Sequence, residues 1–383
     1  MPDNNKFLWL EGIFNEATVR RFKSISPASN FWQTGFVQAL CKLDNQVNIL
    51  GFPYERVWPF GKFLVRNRQA ELQNNFVGEV VGYINLPFIK VELQYQNLKK
   101  RAKKILTIDK EWPDYLIVFS CLEKSTDETP AIRLAKKIRE SLGIPWICII
   151  ADGAVPPGAD GYVILPWSVY NNSNFSVPTL HLDGGISDEL YTTYNQALSN
   201  KAPTQNKVLM YMGSLMEHSG ALQLAQAFQK INDSEAKLCI CGRGNNKELT
   251  QIAQQDKRIL LKGFVEENQL NKLAHEAYAF INPRPLSFQP NQFNYPSKLL
   301  HYLSYGKPVI STLTAGVSPE YSNIIINVPD ESGESLRRGI ERLLTMESIE
   351  YSQMVEKINI FNQTHTWSYQ INRFISWLNT NFH

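Results

Sequence analysis

Residues 282–312 read NPRPLSFQPNQFNYPSKLLHYLSYGKPVIST, and an apolar run, AYAFI, leads into them. Pro296 opens an amphipathic segment, SKLLHYLSYG, that Gly306 closes, and KPVIST begins another apolar run. Strand, loop, helix and next strand therefore fall within one βαβ unit. Proline pre-sets the first helical turn, and the free N–H groups of that turn stand beside two cations, Arg284 and Lys298. Backbone donors with paired positive charge suit a diphosphate, so the stretch points to a nucleotide-activated substrate.

The alternation of strand and helix extends in both directions. Toward the C-terminal half it runs KVLMYMGSL, AKLCICGRG, RILLKGFV, AYAFINP and KPVIST, each followed by a helical pattern. Toward the N-terminus it runs KFLWLEGI, VNILGFP, DYLIVFS, PWICIIAD, GYVILP and TLHLDGG, with ETPAIRLAKKIRESLG as a helix stopped by Gly143. Near-continuous apolar strands separated by helices indicate parallel sheets covered on both faces. The predicted fold is α/β, with two Rossmann-like doubly wound domains and a cleft at the carboxyl ends of their strands. Residues 186–206, polar and carrying Pro203, are the expected linker. The expected domains are 1–200 on the acceptor side and 201–365 on the donor side. Residues 366–383 form a C-terminal helix, with Trp367, Ile371, Phe374 and Trp377 on one face, that packs back on the first domain.

At 383 residues the chain is too long for one ordinary core. Its 43% hydrophobic and 20% charged content is that of a globular protein, and a net charge of +3 is too small to argue for nucleic acid. The five cysteines are scattered and mostly within apolar runs, which fits buried thiols in a reducing cytoplasm. Cys239 and Cys241 share one face of a strand without a nearby His or Cys cluster, so a metal site is not expected there. No leader pattern and no run long enough to span a bilayer is read.

Four motifs in order resemble the retaining glycosyltransferases of the GT-B fold, specifically glycosyltransferase family 4. They are YMGSLMEHSGALQLAQAF with Gly213 and Gly220, CICGRG with Gly242 and Gly244, LLKGFVEENQL, and PSKLLHYLSYGKPVI. The resemblance is strongest over residues 207–312. It implies a UDP- or GDP-sugar donor on the second domain and transfer with retention to a hydroxyl of a glycan, lipid-linked or other acceptor. It implies no metal cofactor, in line with the lack of a suited Asp-x-Asp motif. Under it, Gly213, Ser214 and Gly242 approach the phosphates, Phe264 and Val265 frame the base, and Tyr295, Pro296, Ser297 and His301 line the donor. Lys298 and Arg284 neutralise the leaving phosphate. Two positions depart from the family: His301 and Phe293 stand where a Glu-x(7)-Glu pair is common, and Ser214 and Ser219 stand where cations often grip the phosphates. These departures motivate the rival reading, a catalytically silent partner subunit; a nucleotide-sugar epimerase is the third.

On the acceptor side, Asp152 ends the strand PWICIIAD and is the candidate to take an acceptor proton or hold a sugar hydroxyl. Asn30 and Gln33 near a helix start are further candidates, with an N-cap role as the plain alternative for Asn30. Asp183 reads as structural. The segment FIKVELQYQNLKKRAKKIL carries Lys99, Lys100, Arg101, Lys103 and Lys104 among apolar residues. Such a helix either lies peripherally on an anionic membrane, at its cytoplasmic face, or is the solvated outer helix of the sheet.

Overall fold

Runs such as YLIVFSCL have no room for polar residues because helices cover both faces of the sheet they enter. The computed structural model describes residues 4–22, 24–72, 76–107, 112–198, 206–293, 295 and 297–382. The chain divides into two units, Met1–Leu165 with Asn172–Gly185 and Gln370–His383, and Pro166–Asn171 with Ile186–Tyr369.

In the first unit the strands are β1 (Lys6–Trp9), β2 (Gln46–Gly51), β3 (Leu64–Val65), β4 (Arg68–Leu72), β5 (Phe76–Val80), β6 (Tyr83–Ile84), β7 (Tyr115–Leu122), β8 (Trp146–Gly153), β9 (Gly161–Ile164) and β10 (Thr179–His181). Among the described residues eight of them form a sheet in the order β10-β9-β8-β7-β1-β2-β5-β4. Its pairs are parallel except β4, which runs antiparallel to β5 at the edge. β3 and β6 make a separate two-stranded ribbon. The helices of this unit are α1 (Glu16–Arg21), α2 (Pro27–Lys42), α3 (Lys90–Thr107) and α4 (Pro130–Leu142).

One expectation is corrected here and one open alternative is decided. α2 begins earlier than read: Ser26 caps it, accepting from the Ser29 N–H at 3.3 Å, and Pro27 opens the first turn. Asn30 therefore sits inside the helix, where its amide accepts from the Phe14 N–H at 2.8 Å and donates to the Phe14 carbonyl at 2.9 Å. Gln33, almost fully buried, accepts from the Trp9 indole at 3.0 Å. Both amides are spent on holding the β1–α1 connection rather than on an acceptor. α3 takes the second of its two readings, the solvated outer helix of the sheet. Tyr95, Leu98, Ala102 and Leu106 are buried within the unit, so the apolar stripe that could have entered a membrane faces the sheet while Lys99, Lys100, Lys103 and Lys104 stay exposed.

The second unit contains β11 (Val208–Met212), β12 (Lys237–Cys241), β13 (Ile259–Gly263), β14 (Ala279–Asn282), β15 (Val309–Ser311) and β16 (Ile326–Asn327), in the parallel order β13-β12-β11-β14-β15-β16. Period-two alternation sorts each strand between two cores. Leu209, Tyr211, Leu238 and Ile240 pack on one face, and Met210, Met212, Cys239 and Cys241 on the other. The helices are α5 (Trp167–Asn172), α6 (Asp188–Leu198), α7 (Ala221–Gln229), α8 (Lys247–Gln255), α9 (Glu267–Glu276), α10 (Ser297–Leu303), α11 (Gly333–Leu344), α12 (Ser348–Thr364) and the start of α13 (Trp367–Phe382). The chain passes from the first unit to the second between Gly185 and Ile186, at the start of the expected linker 186–206, and α6 gives that stretch helical structure. Its first turn carries Asp188 and Glu189, which suit the positive end of the helix dipole, and Tyr191 packs against the second-unit core. Pro203 lies outside the described residues.

From Gln370 onward α13 belongs with the first unit. There Phe374, fully buried, meets Phe36 edge-on at 5.0 Å between ring centroids and Phe7 at 6.2 Å. Leu378 is the next buried residue on this face, whereas Trp377 is only partly covered. Phe374→Ala is expected to cost the first unit about 3–5 kcal/mol, because the aromatic cage cannot collapse onto the space left. Chemical denaturation followed by tryptophan fluorescence measures this, and a loss under about 1 kcal/mol would contradict the packing role.

Candidate active site

The carboxyl ends of β11, β12 and β13 are tied at one level by backbone bonds: Gly213 N–H to Cys241 O at 2.9 Å and Gly242 N–H to Gly263 O at 2.8 Å. A Cβ on Gly242 would lie 1.6 Å from the Gly213 carbonyl oxygen. Only glycine permits this approach, which explains why CICG ends as it does. A Cβ on Gly213 would lie 2.2 Å from Lys298 Nζ, so the ammonium rests directly against the bare backbone. Ser214 continues this turn, its carbonyl accepting from the Tyr211 hydroxyl at 2.6 Å and its hydroxyl from the Met216 N–H at 3.2 Å.

Lys298 lies in the first turn of α10, a helix of seven residues that begins at Ser297. Helix and sheet are locked by the buried Tyr302 hydroxyl, which accepts from Met212 N–H at 2.9 Å and donates to Met212 O at 2.6 Å. Lys298 Nζ sits 5.4 Å from the Tyr211 ring centroid. Burial pushes its pKa down to about 8, and the Arg284 guanidinium beside it pushes the same way. Arg284 is fixed at the end of β14: its Nε donates to Asn291 Oδ1 at 2.7 Å, and its carbonyl accepts from the Thr312 hydroxyl at 2.6 Å. The following loop is pinned by Glu331, whose carboxylate accepts from the Leu286 and Ser287 N–H groups at 3.2 and 3.1 Å. The fold thus holds two cations together, and no carboxylate among the described residues is ion-paired with Lys298.

The remaining predicted donor residues surround this pair unevenly. Val265 and Tyr295 pack against the core beneath it, Ser297 is half-buried, and Pro296 lies outside the described residues. Phe264 is exposed and stacks under Arg243, whose guanidinium carbon is 4.1 Å from the ring centroid. Arg243 was missed in the sequence; its signal is the lone cation inside the Gly-x-Gly turn. His301 presents open surface, yet the atoms crowded around its ring push its pKa down to about 4, so the imidazole is neutral at pH 7. Its Nε2 lies 3.4 Å from the Tyr305 hydroxyl, which donates to Asn271 at 2.9 Å. A neutral imidazole and a phenol side by side can hydrogen-bond a ligand hydroxyl.

Asp152 is in the first unit, at the carboxyl end of β8 and in register with Cys121 of β7. The same rim carries Glu11 just beyond β1 and Tyr54 just beyond β2. Burial raises the Glu11 carboxyl to about 8. Glu11 in turn is the largest influence pushing the Tyr54 phenol up, and burial with the Asp152 and Glu11 charges lifts the Cys121 thiol to about 12. Sequence reasoning passed over Glu11 and Tyr54, although a carboxylate directly after the first parallel strand was a readable signal. Asp183 is held inside the fold, its carboxylate 3.1 Å from His181 Nε2 and its carbonyl accepting from the Trp32 indole at 2.9 Å.

Residues 206–346 match the family model described as Glycosyl transferases group 1. The chain has the fold of the GT-B glycosyltransferases. The fold is shared with sucrose-phosphate synthase from Thermosynechococcus elongatus, at a TM-score of 0.66 and 12% identity over 98% of this chain and 99% of that one. Anabaena HepE in complex with UDP and glucose aligns at a TM-score of 0.65 and 11% identity, covering 98% and 100%. The trehalose 6-phosphate synthase from Burkholderia multivorans aligns at 0.61 and 12%, covering 98% of each chain. No curated protein sequence matches the chain.

Two outcomes follow from this geometry. Gly213→Ala meets the end of a flexible lysine and the Tyr211 hydroxyl at a φ of +157° that favours glycine, so it should lower the melting temperature, but by less than Gly242→Ala. Gly242→Ala meets backbone and should destabilise the second unit, so equal melting temperatures for the two variants would refute the contrast. For Glu11 the folded pKa, about 8, exceeds its ordinary value of 4.5. The native state therefore holds the proton more tightly, and this contribution to stability is lost as pH rises from near 4.5 through 8. Glu11→Gln abolishes that loss, so its melting temperature should gain on wild type progressively between pH 5 and pH 8; parallel curves would disprove the burial effect.

Proposed function

We propose that this protein moves a sugar from a UDP- or GDP-sugar to an acceptor hydroxyl, with retention of anomeric configuration. The observation that carries the reading is the Lys298–Arg284 pair: two like charges held together against a glycine backbone, which an anion would relieve. A diphosphate lying along Gly213 would meet both cations and the adjacent N–H groups. As the glycosidic bond to the β-phosphate breaks, charge grows on the leaving oxygen, and Lys298 and Arg284 are positioned to stabilise it without a metal ion. The leaving phosphate, so held, can take the acceptor proton on the face it departs from, which is the route to retention. Phe264 and Val265 would frame the base, and His301 with Tyr305 would hold the ribose hydroxyls. UDP in the HepE structure supports a nucleoside diphosphate as the ligand class.

Acceptor chemistry is assigned to Asp152 and Glu11 of the first unit. Asp152 is proposed to orient the acceptor hydroxyl, and Glu11, protonated below about pH 8, to donate a hydrogen bond to a neighbouring sugar oxygen. A glycan or lipid-linked acceptor fits this assignment.

Donor turnover tests the pair. Lys298→Ala is expected to lower kcat/KM for the donor by about 10²–10³-fold while the melting temperature holds. The ammonium is charged below its pKa, so kcat/KM of the wild type should fall as pH rises through about 8. Lys298→Arg, charged throughout, should lack that fall. Wild-type turnover by Lys298→Ala across a panel of UDP- and GDP-sugars would remove the proposed role.

A further inference from the structure

The first unit carries a second cationic site, away from the strand-end carboxylates. A cavity of about 380 Å³ is lined by Thr18, Arg21, Phe22, Leu64, Arg66, Arg68 and Val80. Three guanidinium groups thus converge from α1 and from the β3–β4 segment. Lys62 joins them, donating to the Arg21 carbonyl at 2.9 Å with its ammonium 3.9 Å from the Phe22 ring centroid. Arg21 and Arg68 both act on Lys62 as repelling charges, with Glu55 as the opposing carboxylate. No ion pair with a carboxylate holds Arg21, Arg66 or Arg68 among the described residues. Three solvent-facing arginines around one hollow present planar forks that match phosphate oxygens.

The rim of this hollow is apolar. In the β3–β6 ribbon Val65 and Tyr83 point inward and are buried, whereas their neighbours Leu64 and Ile84 point out and are 46% and 41% exposed. Leu64 is shared with the cationic cavity, so ribbon and cavity form one surface. Trp58 extends it, its ring 6.2 Å from Phe63, with Phe60 at 84% exposure beside them and Phe88 fully exposed just after β6. The underside is rigid: the buried Asn85 amide donates to the Arg56 and Lys62 carbonyls at 2.6 and 2.8 Å, and its backbone bonds to Trp58 and Phe63. An ordered projection of tryptophan and phenylalanine next to an arginine hollow matches a bilayer surface, aromatic rings at the headgroup level and cations on phosphates.

We infer that the first unit docks on an anionic phospholipid bilayer, with a headgroup phosphate in the Arg21–Arg66–Arg68 cavity and Trp58, Phe60, Phe63 and Phe88 in the interfacial layer. This surface is distinct from α3, whose apolar stripe is turned inward. The inference goes beyond the donor chemistry and is tested without it.

The full chain is floated with phosphatidylcholine vesicles, with and without phosphatidylglycerol, at low and high salt. Binding should need the anionic lipid, weaken with salt, and fall about tenfold or more in Arg66→Gln/Arg68→Gln. Phe60→Ser/Phe88→Ser should lose the salt-resistant part. All four residues are exposed, so melting temperatures should stay at the wild-type value and confirm that the variants fold. Failure to float with anionic vesicles, or equal binding by the arginine variant, overturns the proposal. Stabilisation of wild type by inorganic phosphate without vesicle binding also overturns it, assigning the cavity to a free anion. Nucleotide-induced thermal stabilisation, read separately, reports on the Lys298 site and not on this one.

Discussion

No side chain fits between the backbones of Gly213 and Gly242, and the strand ends of the second unit are arranged around that approach. Because two strand ends touch there, the turns after β11, β12 and β13 form one continuous ledge of main chain. Lys298 can lie on the ledge only because Gly213 is bare. Arg284 reaches the same point because β14 is the neighbour of β11 in the sheet. Strand order thus brings two neighbouring cations, Arg284 and Lys298, onto glycines that lie more than forty positions earlier in the sequence.

The two units carry opposite electrostatic anomalies at their strand ends. In the second, a lysine is held against another cation and is easier to deprotonate than usual. In the first, a carboxyl is held where water is scarce and keeps its proton near neutrality. Neither arrangement stabilises the free protein. Both groups differ in this from surface ion pairs such as Arg139–Asp160, where each charge is met by its opposite.

Much of this was legible in the residues. KLCICG alternates with period two and occupies both sheet faces as read, and PSKLL marks the start of α10. What escaped reading did so for identifiable reasons. Asn30 and Gln33 look like solvent-facing polar residues at a helix start, but tertiary packing against Phe14 and Trp9 converts them to internal ties. α6 is disguised by a polar composition, with only Ile186 and Tyr191 to betray a covered side. The basic stretch of α3 advertises a membrane face, yet its apolar residues are committed to the sheet. Glu11 is readable as a carboxylate after the first strand, but its raised pKa arises from burial that only the folded chain shows. The arginine hollow joins residues from α1 and from a ribbon more than forty positions later, which no local pattern displays.

Tyr302 has one more implication. Its hydroxyl holds both the N–H and the carbonyl of a single residue, Met212, at the end of a fully hydrogen-bonded strand. A contact of that kind suppresses translation of α10 along the sheet while leaving rotation about the tyrosine comparatively free. Lys298, one turn earlier on the helix, would then travel on a short arc instead of drifting, so that any adjustment to substrates of different size becomes a swing with a fixed pivot.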